Sequence, residues 1–213
     1  MTHPPHPHAH QPVLRRGPAA AQAQVGVILV HGRGDSATGI LGLADAFDAP
    51  HVIWLAPQAA GHAWYPYSFL APMEQNEPGL GSGLAVIGSL VDTLRSEGIP
   101  SERVVLMGFS QGACLAQEFA ARHARRYHAI VGLSGGLIGP PGTPRNYQGT
   151  LGGTPVFLGC SDIDAHIPVE RVHESAAVFT RMDAQVDARI YPGMGHTVNA
   201  DEIEAVQVLL AGR

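Results

Sequence analysis

Strand-like and helix-like segments alternate from residue 24 to the end of this 213-residue chain. That alternation predicts an α/β fold, with a mainly parallel twisted sheet and helices on both faces. Three observations carry the prediction. Short unbroken apolar runs end at glycine or polar turns, as strands buried on both faces do. Between them, apolar residues recur at helical spacing. The joining segments are mostly short, which leaves no room for a large inserted cap domain.

The first 23 residues break this pattern. They are rich in His, Pro, Ala and Gln without apolar periodicity, and predict an extended, disordered tail over 1–23 before a single domain over 24–213. His3, His6, His8 and His10 lie in that tail, where no fixed geometry selects an ion, so no metal is expected.

Val25–Val30 (VGVILV) is the first strand, stopped by His31-Gly32-Arg33-Gly34. A helix follows over about Thr38–Phe47, and His51–Ala56 (HVIWLA) is the next strand. Gly61 to Gly81 carries Pro66, Pro72 and Pro78 and reads as irregular. Leu84, Ile87, Val91 and Leu94 share one helical face, and Gly98 stops that helix. Val104–Met107 is a strand, Gln111–His123 a helix and Ala129–Leu133 a strand. Gly139-Pro140-Pro141-Gly142 opens a loop lasting to about Gly153, and Val156–Gly159 is a strand. Val169, Val172, Ala176 and Phe179 form a helical stripe with Pro168 at its first turn. Val186–Tyr191 alternates like a strand, and Asn199 starts the last helix with Glu202 as its capping-box partner.

Composition narrows the classes of function. Hydrophobic residues make up 45% and charged residues 15%, which is globular. The formal net charge of -5 provides no basic face for nucleic acid or an anionic membrane. Only Cys114 and Cys160 are present, which excludes a disulfide-dense scaffold and suits two buried free thiols. No run is long enough for a membrane span, and the first twelve residues lack the basic start and apolar middle of a signal peptide. A cytoplasmic monomer or homodimer with a small-molecule partner is expected.

In open sheets of this kind, chemistry gathers beyond the carboxyl ends of the strands. Ser110 stands at one such end, in Gly108-Phe109-Ser110-Gln111-Gly112, which matches G-x-S-x-G between a strand and a helix. On so tight a turn, a side chain two places to either side would meet backbone, and glycine removes the clash. A serine hydroxyl is a weak nucleophile that needs an adjacent base, itself oriented by a third group. Two later strand ends supply candidates in the order Ser, Asp, His. Cys160-Ser161-Asp162-Ile163-Asp164-Ala165-His166-Ile167-Pro168 contains the acid, and Pro192-Gly193-Met194-Gly195-His196-Thr197 the base, His196. Asp164 is favoured over Asp162 because it lies nearer the helix that Pro168 opens, whereas Asp162 suits a turn-holding role. His31-Gly32-Arg33-Gly34 is similar to an HG-type loop that donates one oxyanion-hole amide, the other coming from the residue after the nucleophile. Those amides belong to Arg33 and Gln111, and His31 reads as a brace for the loop. The Arg33 side chain either enters the cleft to favour an anionic substrate or is solvated.

Together these motifs resemble the phospholipase/carboxylesterase family of α/β-hydrolases, from Val25 to Leu210. That family includes small bacterial carboxylesterases and acyl-protein thioesterases. The resemblance implies an α/β-hydrolase fold without a cap, with Ser110 as nucleophile, Asp164 as acid, His196 as base, and the Arg33 and Gln111 amides as oxyanion donors. It implies no cofactor and no metal. Gly61–Leu70 is similar to the family's Trp-Tyr stretch, so Trp64, with Tyr65 beside it, is expected to wall the pocket. Ser134, in Leu133-Ser134-Gly135-Gly136, is expected to line the same cleft. Arg33 stands where eukaryotic-type thioesterases commonly have leucine, which argues against a long apolar acyl chain there.

The expected activity is hydrolysis of small to medium carboxylic esters through an acyl-enzyme. The alternatives are a thioesterase or lysophospholipase acting on acylated protein, acyl-CoA or lipid, a hydrolase of lactones or aromatic catabolites, and a non-catalytic ligand receptor on the same fold.

Overall fold

The computed structural model describes residues 6–211. Seven strands form one sheet in the order β1-β3-β2-β4-β5-β6-β7. They are β1 (Val13–Arg16), β2 (Val25–Val30), β3 (Val52–Pro57), β4 (Val104–Phe109), β5 (Ala129–Leu133), β6 (Pro155–Ser161) and β7 (Gln185–Tyr191). Every pairing is parallel except that of β1 with β3. Strands β2, β3 and β5 are wholly buried, and β4 is buried up to the half-buried Phe109, because helices cover both faces and their side chains must be apolar on each. One core cluster joins Ile28, Val30, Leu106 and Ile130 to helices α2 (Gly79–Ser96), α3 (Gln111–Arg122) and α4 (Val169–Arg181). The other joins Val27, Leu29, Met107 and Val131 to α1 (Ala37–Leu41) and α5 (Ala200–Leu210). No helix among the described residues is long and apolar enough to cross a membrane.

The main correction concerns the tail. Residues 1–5, including His3, lie outside the described residues, but from residue 6 onward the expected disorder is replaced by structure. Val13–Arg16 is an edge strand antiparallel to β3, with Val13 opposite Pro57 and Arg16 opposite Trp54. The sheet needs it: β3 would otherwise present an unpaired edge of N–H and C=O groups. Its exposed arginines are held by acids, Arg15 on Glu97 at 2.7 Å and Arg16 on Asp45. The packed part of the chain therefore begins well before residue 24: β1 joins the sheet, and His8 is already buried against the domain.

A smaller difference falls over Thr38–Phe47, where one helix was expected. The segment is a short α-helix, Ala37–Leu41, that tightens into a 3-10 turn over Gly42–Ala46. Ser36 caps its start by accepting from the Gly39 amide. At the other end of the chain the capping box forms as read: Asn199 accepts from the Glu202 amide and Glu202 from the Asn199 amide. That cap fixes the start of α5 immediately after the loop that carries His196.

Candidate active site

The sheet register brings the ends of β2, β4 and β5 to one edge, with Val30 beside Gly108 and Phe109 beside Leu133. Ser110 follows β4 there, with φ 54° and ψ −120°, a conformation that a side-chain-bearing residue holds only under strain. The two glycines make the turn possible by close approach. A Cβ on Gly108 would sit 2.4 Å from the Gly112 backbone, and one on Gly112 would sit 2.1 Å from the Val30 carbonyl oxygen. Ser110 thus stands directly before α3, at the positive end of its dipole.

The three side chains selected from sequence meet at this edge. Ser110 Oγ lies 2.8 Å from His196 Nε2, and His196 Nδ1 lies 2.7 Å from Asp164 Oδ2. Asp164 has no exposed side-chain surface, while the His196 side chain is 20% exposed and reaches the cleft. The other Asp164 oxygen accepts from the amides of His166 (2.8 Å) and Ile167 (3.1 Å). Burial opposes the Asp164 charge, but the hydrogen bonds from His196 and those two amides outweigh it and hold the carboxyl below its usual range. The ionised carboxylate fixes the proton of His196 on Nδ1 and leaves Nε2 free to accept from the serine. Asp162 serves elsewhere: its Oδ1 accepts from the Gly193 amide at 2.8 Å and ties the acid loop to the histidine loop. The imidazole is also packed by two rings, Phe109 at 4.9 Å and His166 at 4.8 Å between centroids.

A cleft of about 780 Å³ opens over Ser110, lined by Arg33, Tyr65, Tyr67, Phe69, Phe109, His166 and Ile167. Arg33 and Gln111 both border it. The Gln111 N–H belongs to the first residue of α3, where helix geometry supplies no acceptor. The Arg33 side chain is exposed at the border of the cleft and is engaged by protein. Its guanidinium donates to the carbonyls of Pro66 (2.9 Å) and Tyr67 (2.6 Å) and lies over the Tyr65 ring, clamping the aromatic loop. Gln111 grips the same loop from beneath, accepting from the Trp64 amide and donating to the Tyr65 carbonyl.

Two expected pocket residues are not in the cleft. Trp64 is fully buried, with its indole N–H on the His31 carbonyl at 2.9 Å and its ring 5.1 Å from the His31 ring. An indole in a core must find an acceptor, and this one finds it at the end of β2. Trp64 therefore supports the wall that Tyr65, Tyr67 and Phe69 form. Ser134 is fully buried and does not line the cleft; its amide donates to the Gly159 carbonyl. His31 is the expected brace: Nδ1–H donates to the Gly32 carbonyl and Nε2 accepts from the Ala59 amide. Both cysteines are free and buried, and burial pushes each thiol up to about 12, so neither is a ready thiolate.

Tyr67 and Phe69 line the cleft from the aromatic Gly61–Leu70 segment read as a pocket wall, whereas His166 and Ile167 are cleft residues that sequence reasoning did not single out. His166 and Ile167 stood inside the acid segment, two and three residues past Asp164, and their place on a strand-end loop was the available signal.

The sequence model of the phospholipase/carboxylesterase family matches residues 17–211. A crystal structure of a phospholipase/carboxylesterase from Dyadobacter fermentans is 40% identical, with a TM-score of 0.91, and the match covers 94% of this chain and 96% of that one. Acyl-protein thioesterase 1 of Yarrowia lipolytica is 27% identical over 210 residues, 90% of this chain and 92% of its own. The corresponding protein of Gibberella zeae is 28% identical over 227 residues, covering 91% and 92%. With its seven-stranded sheet and no large cap domain among the described residues, the fold is that of an α/β-hydrolase, and the matches support an esterase-type hydrolase. The chain belongs to the phospholipase/carboxylesterase family.

Proposed function

We propose that the protein is a serine carboxylester hydrolase that cleaves small to medium acyl esters through an acyl-enzyme. The observation that carries the reading is the unbroken relay from Ser110 Oγ to His196 at 2.8 Å and from His196 to Asp164 at 2.7 Å, opening on a solvent-accessible cleft.

In this mechanism Ser110 Oγ attacks the ester carbonyl carbon and its proton passes to His196 Nε2. The carbonyl oxygen becomes an oxyanion between the Arg33 and Gln111 amides, donors of a kind each worth about 3 kcal/mol in the transition state. The intermediate collapses, the carbon–oxygen bond to the alcohol breaks, and His196 returns its proton to the leaving oxygen. Water then attacks the acyl-enzyme with His196 as base, and the carboxylic acid leaves as Ser110 regains its proton. Asp164 stays ionised throughout and stabilises the imidazolium.

The aromatic wall and the Arg33 clamp at the cleft mouth support short and medium acyl groups. A second reading, a thioesterase, is favoured by the thioesterase relatives and uses the same steps with sulfur as leaving atom. The test is turnover of p-nitrophenyl esters from acetate to palmitate, with palmitoyl-CoA alongside, for wild type and Ser110→Ala. The expected result is a rate peak at short to medium chains, abolished by Ser110→Ala with the fold retained. Wild-type turnover by Ser110→Ala would remove the nucleophile assignment, and a peak at palmitate or palmitoyl-CoA would favour the thioesterase.

A further inference from the structure

The segment read from sequence as a free tail contains the buried residue that the relay leaves unexplained. His8 is 3% exposed and reaches two parts of the chain more than fifty residues away. Its Nε2–H donates to the Trp64 carbonyl at 2.9 Å, and its Nδ1 accepts from the Ala60 amide at 3.0 Å. One imidazole thereby closes both ends of the Ala60–Trp64 turn. The His8 amide donates to Ser82 Oγ on α2, and the His8 ring stands edge-on to the Trp64 ring at 5.2 Å.

The turn that His8 closes is pinned in turn to both elements that offer amides to the cleft. Toward the Arg33 loop, Trp64 Nε1–H reaches the His31 carbonyl, the Gly34 amide donates to the His62 carbonyl, and His62 Nδ1–H donates to the Asp35 carbonyl. Toward α3, Trp64 and Tyr65 hold the Gln111 side chain. We propose that His8 is a positioning residue of the active site, bracing the Ala60–Trp64 turn so that the Arg33 and Gln111 amides keep their spacing around the oxyanion. This rests on the esterase reading above. Two supports are independent of that reading. The bridge requires a neutral imidazole, donor at one nitrogen and acceptor at the other, and burial holds His8 below its ordinary value, which keeps it neutral. Strand β1 then anchors the segment to β3 a few residues on, so His8 cannot drift away.

A spacing effect on oxyanion donors acts on the transition state and not on ground-state binding. His8→Ala is therefore expected to lower kcat for p-nitrophenyl butyrate on the order of tenfold, with KM changed less than about twofold. His8→Gln is expected to recover most of that loss, since its side-chain amide offers one donor and one acceptor across a similar gap. In a Trp54→Phe background Trp64 is the sole tryptophan, and its emission should shift to the red in His8→Ala and return in His8→Gln. Should His8→Ala fail to fold, His8→Phe keeps the ring without the hydrogen bonds and should show the same kcat loss. Unchanged kcat in the folded alanine or phenylalanine variant overturns the proposal, as does a Gln variant no better than Ala. Ser110→Ala measured in parallel separates the two levels. If it is inactive while His8→Ala keeps full kcat, the positioning role alone is wrong; if it is active, the esterase reading fails.

Discussion

Replacing Asp164 by asparagine tests the relay at the atom where its chemistry is decided. In the native site Asp164 Oδ1 accepts from two amides, His166 and Ile167, and Oδ2 accepts from His196 Nδ1. An asparagine must keep its oxygen where the two amides point, because the reverse orientation sets an NH₂ group against two N–H donors. Its NH₂ then faces His196 Nδ1, which must accept. The imidazole proton moves to Nε2, the atom 2.8 Å from Ser110 Oγ, and the base can no longer take the serine proton. Loss of the correct tautomer costs about 10⁴ in kcat, or ~5.4 kcal/mol at 1.36 kcal/mol per decade. Asp162→Asn makes the contrast. It keeps an oxygen acceptor for the Gly193 amide, and exchanging a charged for a neutral hydrogen bond costs about 1 kcal/mol, no more than roughly tenfold if all of it reaches the rate. Steady-state hydrolysis of p-nitrophenyl butyrate, with circular dichroism to establish that both variants are folded, reads the two numbers. A folded Asp164→Asn within tenfold of wild type, or an Asp162→Asn that loses more than Asp164→Asn, would refute this account of the relay.

Two further substitutions probe the frame around the relay. Gly112→Ala places a Cβ 2.1 Å from the Val30 oxygen and 2.6 Å from the His31 oxygen, both backbone, so α3 must shift away from β2. It should destabilise the fold by about 1–3 kcal/mol in urea denaturation and, by moving the Gln111 amide, lower kcat more than KM rises; unchanged stability would show that the approach is not tight. Glu202 is buried with one carboxylate oxygen unpartnered, and burial, opposed by the Asn199 amide and reinforced by Asp201, raises it from 4.5 to about 7. With the folded value above the unfolded one, the native state holds the extra proton, so its stabilisation is fully present below 4.5 and lost as pH rises through about 7. The loss is on the order of 3 kcal/mol by pH 8. Glu202→Gln keeps an acceptor for the cap and removes the titration, so its Tm should vary less than that of wild type between about pH 5 and 8; parallel Tm curves for the two proteins would refute the assignment.

Much of the fold was legible because burial on both faces forces a recognisable pattern. VGVILV and HVIWLA are apolar without alternation because helices cover each side of β2 and β3, and β2 begins and ends where the sequence puts it. The relay was legible for a related reason. A strained serine between a strand and a helix tolerates only glycine at the close approaches, so Gly108 and Gly112 mark Ser110 in the sequence as they surround it in space. Asp164 was separable from Asp162 only as a preference. What distinguishes them is which reaches His196 and which reaches Gly193, and nothing local encodes that difference.

The features that sequence misplaced or left open share one cause, polar pairing between remote segments. Val13–Arg16 has a single partly buried residue, Leu14, so its membership of the sheet rests on the hydrogen-bonding need of β3 rather than on its own side chains. His8 sits in a run of His and Pro that resembles disordered chain, yet its two ring nitrogens meet an N–H and a C=O four residues apart in another loop. Trp64 looks like a pocket residue because aromatic side chains line pockets, but its indole N–H finds an acceptor in the core and pulls the ring inward, leaving Tyr65, Tyr67 and Phe69 to line the cleft. Arg33 follows the same logic: two carbonyls of the aromatic loop are within reach, and a planar guanidinium satisfies both at once, so the charge serves the wall before it serves any ligand. The reactive atoms are thus placed by strand ends that periodicity reveals. The cleft around them is shaped by hydrogen bonds whose partners lie far away in the chain, which is why the meeting of the three side chains was more legible than the walls around them.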